Sequence, residues 1–377
     1  MNVPGKIGVV AAIATMVLGS SAIPANADPL FAFAPRVDYK TGDEPGAVVA
    51  ADLDGDGDLD LVTADRYEQA LSIFLGTGDG AFGPRVRWYL GEEPTAIAAG
   101  DFNGDGKADI ATVTYEGSLL VLHGNGSGTF AAPVSTSVSP YAEGMAAGDL
   151  NADGHADIVL SRPTGITVLM AKSDGSFGAS TDLASGGYSR SVVLQDFDGN
   201  GTTDIAVASF GASDGIAYVF FGHGDGTFTE FVLHGDPGSR IDIAAGDFDT
   251  DSYPNLIVAN YSTSSVADSA WRVDPTGSFR QPYETSALAP TLFSIALADL
   301  DGDGTVDLAA TAPAQQSLIV YHQYPAYSNQ WQTTPTTFAT GQWPVKVYAA
   351  DLDNDSRPDL VTLNRADKSL SVFLNRT

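Results

Sequence analysis

The chain has 377 residues, no cysteine, and 47 acidic against 18 basic residues, which gives a formal net charge of −29. Without cysteine, disulfides contribute nothing to stability. The acidic excess argues against nucleic acid as a partner, because phosphate binding needs a basic surface that releases counterions.

The first 27 residues predict a secretory signal peptide. Lys6 supplies a positive n-region, residues 7–19 form a short apolar h-region, and Ala25-Asn26-Ala27 is a cleavage site before Asp28. The apolar run is too short to span a bilayer, and no other stretch approaches that length. We therefore expect a secreted, extracellular protein without a membrane span, with residues 28–377 as a single domain.

Nine-residue segments rich in aspartate recur seven times, beginning 47 to 52 residues apart. The first of these loops reads Asp52-Leu-Asp54-Gly-Asp56-Gly-Asp58-Leu-Asp60. Alternate residues of a tight loop point at one centre, where several carboxylates repel one another unless a cation lies between them. Calcium fits best, since it accepts flexible coordination by six to eight oxygens.

We expect up to seven Ca²⁺ sites, with side-chain ligands at positions 1, 3, 5 and 9 and a backbone carbonyl at the variable position 7. The candidate ligands are Asp52, Asp54, Asp56, Asp58, Asp60, Asp101, Asn103, Asp105, Lys107, Asp109, Asp149, Asn151, Asp153, His155, Asp157, Asp196, Asp198, Asn200, Thr202, Asp204, Asp247, Asp249, Asp251, Tyr253, Asn255, Asp299, Asp301, Asp303, Thr305, Asp307, Asp351, Asp353, Asp355, Arg357 and Asp359.

These loops account for most of the acidity. Positions 1, 3, 5 and 9 hold 24 Asp and 4 Asn, so removing these aspartates from the 47 acidic residues leaves 23 against 18 basic residues. Position 2 is always Leu or Phe and position 10 always Leu or Ile, which predicts two buried apolar anchors for each loop.

The seven loops are not equal. The loop at 247–255 has Asn255 at position 9 and lacks both glycines, and we expect it to be the weakest site. The last loop has Asn354 and Ser356 where the first has glycines, which predicts a strained turn.

An EF-hand is the main alternative for these loops, and it requires Glu at position 12 and flanking helices. The flanks here are short β-type runs. Position 12 is occupied by Thr63, Thr112, Leu160, Val207, Val258, Ala310 and Thr362. A second alternative is a set of Asp/Gly turns without metal, which seven copies in register make the weaker interpretation.

Short β runs repeated with a period near 50 are typical of a β-propeller. In the first repeat the pattern predicts strands at residues 46–51, 60–64, 71–75 and 82–90. An insertion at residues 321–337 replaces the last turn of the sixth repeat.

The two ends of the chain predict how the ring closes. Residues 370–374 read as a third strand with no fourth after it, and residues 31–39 match the fourth strand of the first repeat. The N-terminal strand is therefore expected to complete the last of seven four-stranded blades, which removes an exposed sheet edge.

The loops and their spacing resemble the FG-GAP/VCBS repeat family of secreted seven-bladed propellers, which includes the integrin α-chain propeller and fungal propeller lectins. The resemblance covers about residues 29–377. It implies an all-β, calcium-binding propeller with the calcium loops on one face. It leaves the activity open, since the family includes adhesion domains, lectins and parts of polysaccharide-degrading enzymes.

The opposite face would then carry the turns between the second and third strands and the connections between blades. Arginines and aromatic residues gather in these segments: Arg66, Tyr67, Tyr115, Tyr141, Arg162, Tyr188, Arg190, Phe210, Arg240, Tyr261, Phe293, Trp343 and Arg365. Aromatic rings stack on sugars and guanidinium groups bind carboxylates or sulfates, so we expect a glycan, with an anionic one among the candidates. The alternative is that exposed loops simply collect such residues and that some pack between blades.

No catalytic residue is assigned. The sequence has no nucleophile elbow and no H-E-x-x-H motif, and no histidine has a partner at the spacing of a zinc site or triad. The histidines, expected to be structural or surface residues, are His123, His155, His223, His234 and His322.

The expected function is that of an extracellular carbohydrate-binding or adhesion module, with calcium holding the blades rather than touching the ligand. One alternative is a polysaccharide lyase acting on a uronate-containing glycan, with Tyr67, Tyr188 or Tyr261 as base beside Arg66 or Arg190. A protein-binding scaffold is the other alternative.

Overall fold

The computed structural model describes residues 30–210, 217–234, 240–248, 252–260, 269–273, 279–284, 292–323 and 334–377. Within these ranges the secondary structure consists of 28 strands and one short 3-10 helix, Pro313–Gln315. No helix there is long and apolar enough to cross a membrane. The predicted signal peptide and the middle of the predicted insertion lie outside the described residues.

Each of the seven repeats forms a four-stranded antiparallel sheet, the blade of a propeller. Strands are numbered along the chain. The first strands of blades 1 to 7 are β2 (Pro45–Ala51), β6 (Pro94–Gly100), β10 (Met145–Gly148), β14 (Tyr188–Gln195), β18 (Arg240–Gly246), β22 (Ser294–Ala298) and β26 (Pro344–Ala350). The second strands are β3 (Asp60–Asp65), β7 (Asp109–Thr114), β11 (Asp157–Arg162), β15 (Asp204–Phe210), β19 (Asn255–Asn260), β23 (Asp307–Ala312) and β27 (Asp359–Asn364).

The outer half of each blade follows the same order. The third strands are β4 (Ala70–Phe74), β8 (Ser118–Leu122), β12 (Gly165–Leu169), β16 (Ala217–Gly222), β20 (Ser269–Val273), β24 (Ser317–Tyr321) and β28 (Ser369–Phe373). The fourth strands are β5 (Val86–Tyr89), β9 (Val134–Ser137), β13 (Thr181–Ala184), β17 (Phe228–Leu233), β21 (Phe279–Glu284), β25 (Thr336–Ala339) and, in blade 7, β1 (Val37–Lys40).

The ring closes as the chain ends predict. Strand β1 pairs with β28, with Tyr39 opposite Leu370. Just before it, Ala34 N donates to Leu374 O at 2.8 Å. Each first strand contacts the first strand of the next blade, and β26 contacts β2. Blade 7 is therefore built from both ends of the described chain.

The fourth strands are shorter than predicted in blades 1 and 7. Strand β5 begins at Val86 rather than at residue 82, and Phe82 makes only an isolated bridge to Gly76. Phe33 makes the same isolated bridge to Asn375 ahead of β1. A proline stands between bridge and strand in each case, at Pro84 and Pro35, and proline has no N–H for the ladder.

The core lies between blades. One cluster packs Leu53 and Val62 of blade 1 against Ile97 and Ile110 of blade 2, and six further clusters join the other neighbouring pairs, including blade 7 with blade 1. The predicted anchors at positions 2 and 10 are confirmed as buried in all seven loops, with none more than 3% exposed: Leu53, Leu61, Phe102, Ile110, Leu150, Ile158, Phe197, Ile205, Phe248, Leu256, Leu300, Leu308, Leu352 and Leu360.

Blade 1 buries one carboxylate outside its aspartate-rich loop. Asp65 accepts hydrogen bonds from Gly42 N at 3.0 Å, from Thr63 Oγ1 at 2.9 Å and from Ser72 Oγ. Burial raises the pKa of Asp65 to about 6, although these hydrogen bonds oppose the rise. Blade 7 has Asn364 at the equivalent position, where its Nδ2 donates to Ser371 Oγ at 2.8 Å.

We predict that Asp65→Asn changes how stability depends on pH. The folded pKa of about 6 lies above the ordinary 3.8, so the folded state holds the Asp65 proton more tightly than the unfolded state. The Asp65 contribution to the free energy of unfolding therefore falls as pH rises from 3.8 to about 6, then stays constant.

Denaturant unfolding at several pH values and fixed calcium measures the effect. Across this window the free energy of unfolding of the variant should rise relative to that of the wild type. The difference between the two proteins should then stay constant at higher pH. Parallel curves for the two proteins would contradict the assignment.

Candidate functional site

Six of the loops, all but the one at 247–255, share one backbone arrangement, set by the aspartates at positions 1 and 9. In the first loop, Asp52 accepts hydrogen bonds from Gly55 N at 2.7 Å and Gly57 N at 3.1 Å. Asp60 accepts from Leu53 N at 2.8 Å and from Gly76 N at 2.7 Å, which ties the loop to the end of β4. The same two bonds to position 9 recur at Asp109, Asp157, Asp204, Asp307 and Asp359.

The side chains of these loops fit a bound cation. Three carboxylate oxygens lie within 4.8 Å of one another in four of the loops, in the groups Asp52/Asp54/Asp56, Asp196/Asp198/Asp204, Asp299/Asp301/Asp307 and Asp351/Asp353/Asp355. Burial raises the pKa of Asp60 to about 6, and the charges of Asp54 and Asp56 add to that rise.

Two buried oxygens point to the same conclusion. Asp54 Oδ1 and Asp353 Oδ1, both at position 3, are buried without a hydrogen-bond partner. Such an oxygen costs free energy unless an ion contacts it. An all-oxygen donor set of this kind suits calcium, so the residues present fit the predicted metal.

The last loop differs from the first in geometry and charge. Asn354 and Ser356 adopt left-handed backbone angles, with φ of 58° and 68°, as expected where glycine is replaced. Arg376 NH1 lies 2.6 Å from Asp353 Oδ2, and Arg357 NH2 lies 2.5 Å from Asp355 Oδ2. Two guanidinium groups therefore already offset carboxylates of this loop. Sequence reasoning missed Arg376, which lies outside the repeated motif.

A histidine belongs to the sixth loop, so His322 is a buried structural residue with acidic partners that the sequence did not indicate. Its Nδ1 lies 3.2 Å from Asp301 Oδ2 and 3.1 Å from Asp307 Oδ1, and the ring is buried. His123 similarly contacts Asp109 Oδ2 at 2.9 Å. Both histidines follow a third strand, and the blade brings that strand end to the loop. For the loop at 247–255, residues 249–251 lie outside the described residues, so its ranking as weakest stays a prediction.

The face opposite the loops carries the turns and the connections between blades that were predicted to lie there. Ala51 pairs with Asp60 beside the calcium loop, whereas Pro45 pairs with Asp65 at the other end of the same two strands. The turns after second strands and the connections between blades therefore lie away from the loops. A cavity of about 1020 Å³ runs along the first strands of all seven blades. Glu44 and Arg66 line it at this end, and Ala99 and Ala349, two residues before the first loop aspartate of their blades, line it toward the other.

The structure brings about half of the predicted ligand residues to this cavity. The predicted residues that line it are Arg66, Tyr115, Tyr141, Tyr188, Arg190, Phe293 and Arg365. Tyr67 and Trp343 are exposed near it, whereas Arg162 pairs with Asp182 of β13 at 2.9 Å and lies outside the lining. Tyr261 lies outside the described residues, as do the side chains of Phe210 and Arg240.

Four of these side chains form a continuous row from blade 1 to blade 3. The Arg66 guanidinium lies 5.6 Å from the centroid of the Tyr67 ring and 4.4 Å from that of Tyr115. The Tyr115 and Tyr141 rings meet edge to face at 4.9 Å. We call Tyr67, Arg66, Tyr115 and Tyr141 the aromatic row. Its three rings are each more than 40% exposed.

A repeated turn presents some of the exposed rings. Glu44, Tyr141 and Trp343 each lie eight residues before the first loop aspartate of their blade, and all have a left-handed φ, of 57°, 67° and 58°. Bulky residues rarely adopt this conformation, and such strain concentrates at functional positions. The turn holds Tyr141 and Trp343 about half exposed.

Three arginines of the cavity form ion pairs with glutamates that the sequence did not indicate. Glu93 Oε2 lies 2.9 Å from Arg66 Nε, Glu143 Oε2 lies 2.6 Å from Arg190 Nε, and Glu44 Oε1 lies 3.1 Å from Arg365 Nε. Each partner comes from a neighbouring blade, so no local sequence pattern reveals the pair. Burial and the negative charge of Glu143 raise the pKa of Tyr188 to about 12.

The chain belongs to the FG-GAP-like repeat family. The family model matches residues 52–112, 101–160, 149–207, 196–258 and 247–310, which together cover more than half of the chain. No curated protein matches the chain significantly.

Three solved structures show the same fold at low identity. BBS1N in complex with ARL6DN is 13% identical, with a TM-score of 0.65 over 92% of this chain and 98% of that one. A lectin of Agrocybe aegerita that recognises non-reducing terminal N-acetylglucosamine is 16% identical, with a TM-score of 0.59 over 82% and 90%. The exotype rhamnogalacturonan lyase YesX is 15% identical, with a TM-score of 0.53 over 90% and 73%.

We predict that calcium stabilises the fold and that the first loop depends on it more than the last. A ligand that binds only the folded state at 100 times its Kd adds about 2.7 kcal/mol per site. Asp54→Asn should remove more of the calcium-dependent rise in melting temperature than Asp353→Asn, because Arg376 already offsets Asp353.

Thermal melts in calcium and in chelator measure both effects. Glu230→Gln, on the exposed face of the outer strand β17, removes one negative charge outside the loops and serves as the control. Equal calcium dependence in all three variants would contradict the prediction.

Proposed function

We propose that this protein is a secreted, calcium-stabilised propeller that binds a glycan at its central cavity. The observation that carries the proposal is the aromatic row, whose exposed rings lie beside a cavity of about 1020 Å³. The predicted signal peptide supports secretion, and the predicted metal is calcium, in up to seven loops.

The chemistry of the cavity suits a sugar. Aromatic rings present apolar faces that stack on the C–H face of a pyranose, and they keep a polar edge in water. Arg66, Arg190 and Glu143 offer donors and acceptors close to these rings for hydroxyl groups. The volume is at the upper end of the range usual for small-ligand sites, which is enough for a few sugar rings.

Calcium acts at a distance from this cavity in the proposal. The loops lie at the opposite end of the first strands from the aromatic row, so a bound ion contacts the blades and not a sugar stacked on that row. Chelation would then weaken binding only as far as it loosens the fold. The likeness to the Agrocybe aegerita lectin supports the proposal at the level of the fold alone.

One observation weighs against Tyr188 as the base of a lyase at this cavity. With the pKa of Tyr188 raised to about 12, its phenolate is scarce at neutral pH, whereas a catalytic base needs a pKa near the working pH. A glycan array with the mature protein, combined with an absorbance assay for unsaturated uronate products, tests the proposal. Glycan binding without such products is expected. Product formation would favour the lyase, and absence of any glycan binding would favour a protein partner.

We predict that Tyr141→Ala weakens glycan binding about three- to tenfold, the worth of one aromatic contact. Trp343→Ala tests whether the second strained turn contributes as well. Tyr89→Ala is the matched control, since Tyr89 is 61% exposed but ends the outer strand β5 and does not line the cavity. Titration of the best array hit by calorimetry measures all three. Unchanged affinity in Tyr141→Ala would place the ligand elsewhere.

A further inference from the structure

All four cationic side chains that line the cavity, among the described residues, are paired with carboxylates. Three are the arginine pairs Arg66–Glu93, Arg190–Glu143 and Arg365–Glu44. The fourth is Lys346, whose Nζ lies 3.4 Å from Asp242 Oδ2. The lining therefore has donors and acceptors but little net charge.

Two of the carboxylates in these pairs, Asp242 and Glu143, make further contacts that hold them in place. Asp242 is buried in blade 5, and its Oδ2 also accepts hydrogen bonds from Ser294 Oγ at 2.7 Å and Ile295 N at 3.0 Å in blade 6. Glu143 contacts both Arg190 and Tyr188. A ligand carboxylate would have to compete with these fixed groups for Lys346 and Arg190, and with Glu93 and Glu44 for the other two cations.

One position of the repeat divides the cavity wall into two parts. Asp242, Ser294 and Lys346 all lie five residues before the first loop aspartate, in blades 5, 6 and 7. The same position in blades 1 to 4 holds only small residues, namely Ala47, Ala96, Gly144 and Ser191. The small residues leave space on the side of the aromatic row, opposite a polar wall.

The rest of the molecule adds no attraction for anions. The formal net charge is −29, so an acidic polysaccharide approaches against the overall field. Bound calcium would offset much of this charge, but it would do so at the other end of the first strands. A sugar hydroxyl, which both donates and accepts, matches a paired cation and carboxylate without separating them.

We propose that the cavity selects neutral glycans, built from hexoses or N-acetylhexosamines, and discriminates against uronates and sulfated sugars. This inference rests on the proposed function and names its ligand class. It narrows the expectation drawn from the arginines alone, which included anionic glycans.

The test compares matched oligosaccharides of equal length with the mature protein in calcium. The neutral set contains β-1,4-linked glucose, mannose and N-acetylglucosamine, and the acidic set contains oligogalacturonate and hyaluronan. At least one neutral oligosaccharide is expected to bind, with little change in affinity between low and high salt. Tighter binding of an acidic oligosaccharide would overturn the selectivity and keep the proposed function, whereas no binding in either set would overturn both.

A gain-of-binding variant tests the cause. Glu143→Gln releases Arg190 from its carboxylate and should raise the affinity for oligogalacturonate about tenfold, with a new salt dependence. Glu93→Gln releases Arg66 from its carboxylate in the same way. It provides a second test of the cause if Glu143→Gln misfolds. Glu230→Gln, on the exposed face of the outer strand β17, changes the net charge equally and should have no effect. The inference fails if the two cavity variants gain no more uronate binding than this control.

Discussion

Each blade has apolar side chains on both faces of its sheet, so no blade is buried until it has a neighbour on either side. The seven clusters of the core lie between blades, and none is confined to a single sheet. A row of such blades buries both apolar faces of every blade only if the row closes into a ring. The pairing of β1 with β28 and the contact of β26 with β2 follow from this constraint.

In the closed ring, the two ends of the first and second strands of each blade have different structural roles. At the loop end, position 1 folds the loop and position 9 ties it to the third strand, and both roles tolerate little change of residue type. At the other end, the turns need only to connect strands, so their residues differ from blade to blade. Such diversity suits the proposed binding surface, since the proposed glycan ligand has no sevenfold symmetry.

Charge is also distributed by this arrangement. The carboxylates of the loops are gathered where a cation fits, and the last loop is offset in part by Arg357 and Arg376. At the cavity, acids and bases are joined one to one across blade boundaries. These pairs join one blade to another, and in the proposed function the same side chains also set which sugars the cavity accepts.

Much of the fold could be predicted from the sequence. The loop spacing indicated seven blades, the apolar residues at positions 2 and 10 indicated the anchors, and the chain ends indicated closure. The fourth strands were predicted too long because aromatic residues such as Phe82 read as strand. In the structure Phe82 makes one bridge, and Pro84 interrupts the ladder before β5 begins. The sequence left open whether His322 is a structural or a surface residue, because its acidic partners are 15 or more positions away in the chain.

The sequence by itself determined the repeat, the candidate metal ligands and the segments that gather arginines and aromatics, because these are local patterns that each repeat restates. Only the tertiary structure decided that Glu93, Glu143 and Glu44 neutralise those arginines, and that Asp242 meets Lys346 from two blades away. Each of these contacts joins different blades. Their geometry depends on how the closed ring sets one blade against the next, which no pattern within a repeat records.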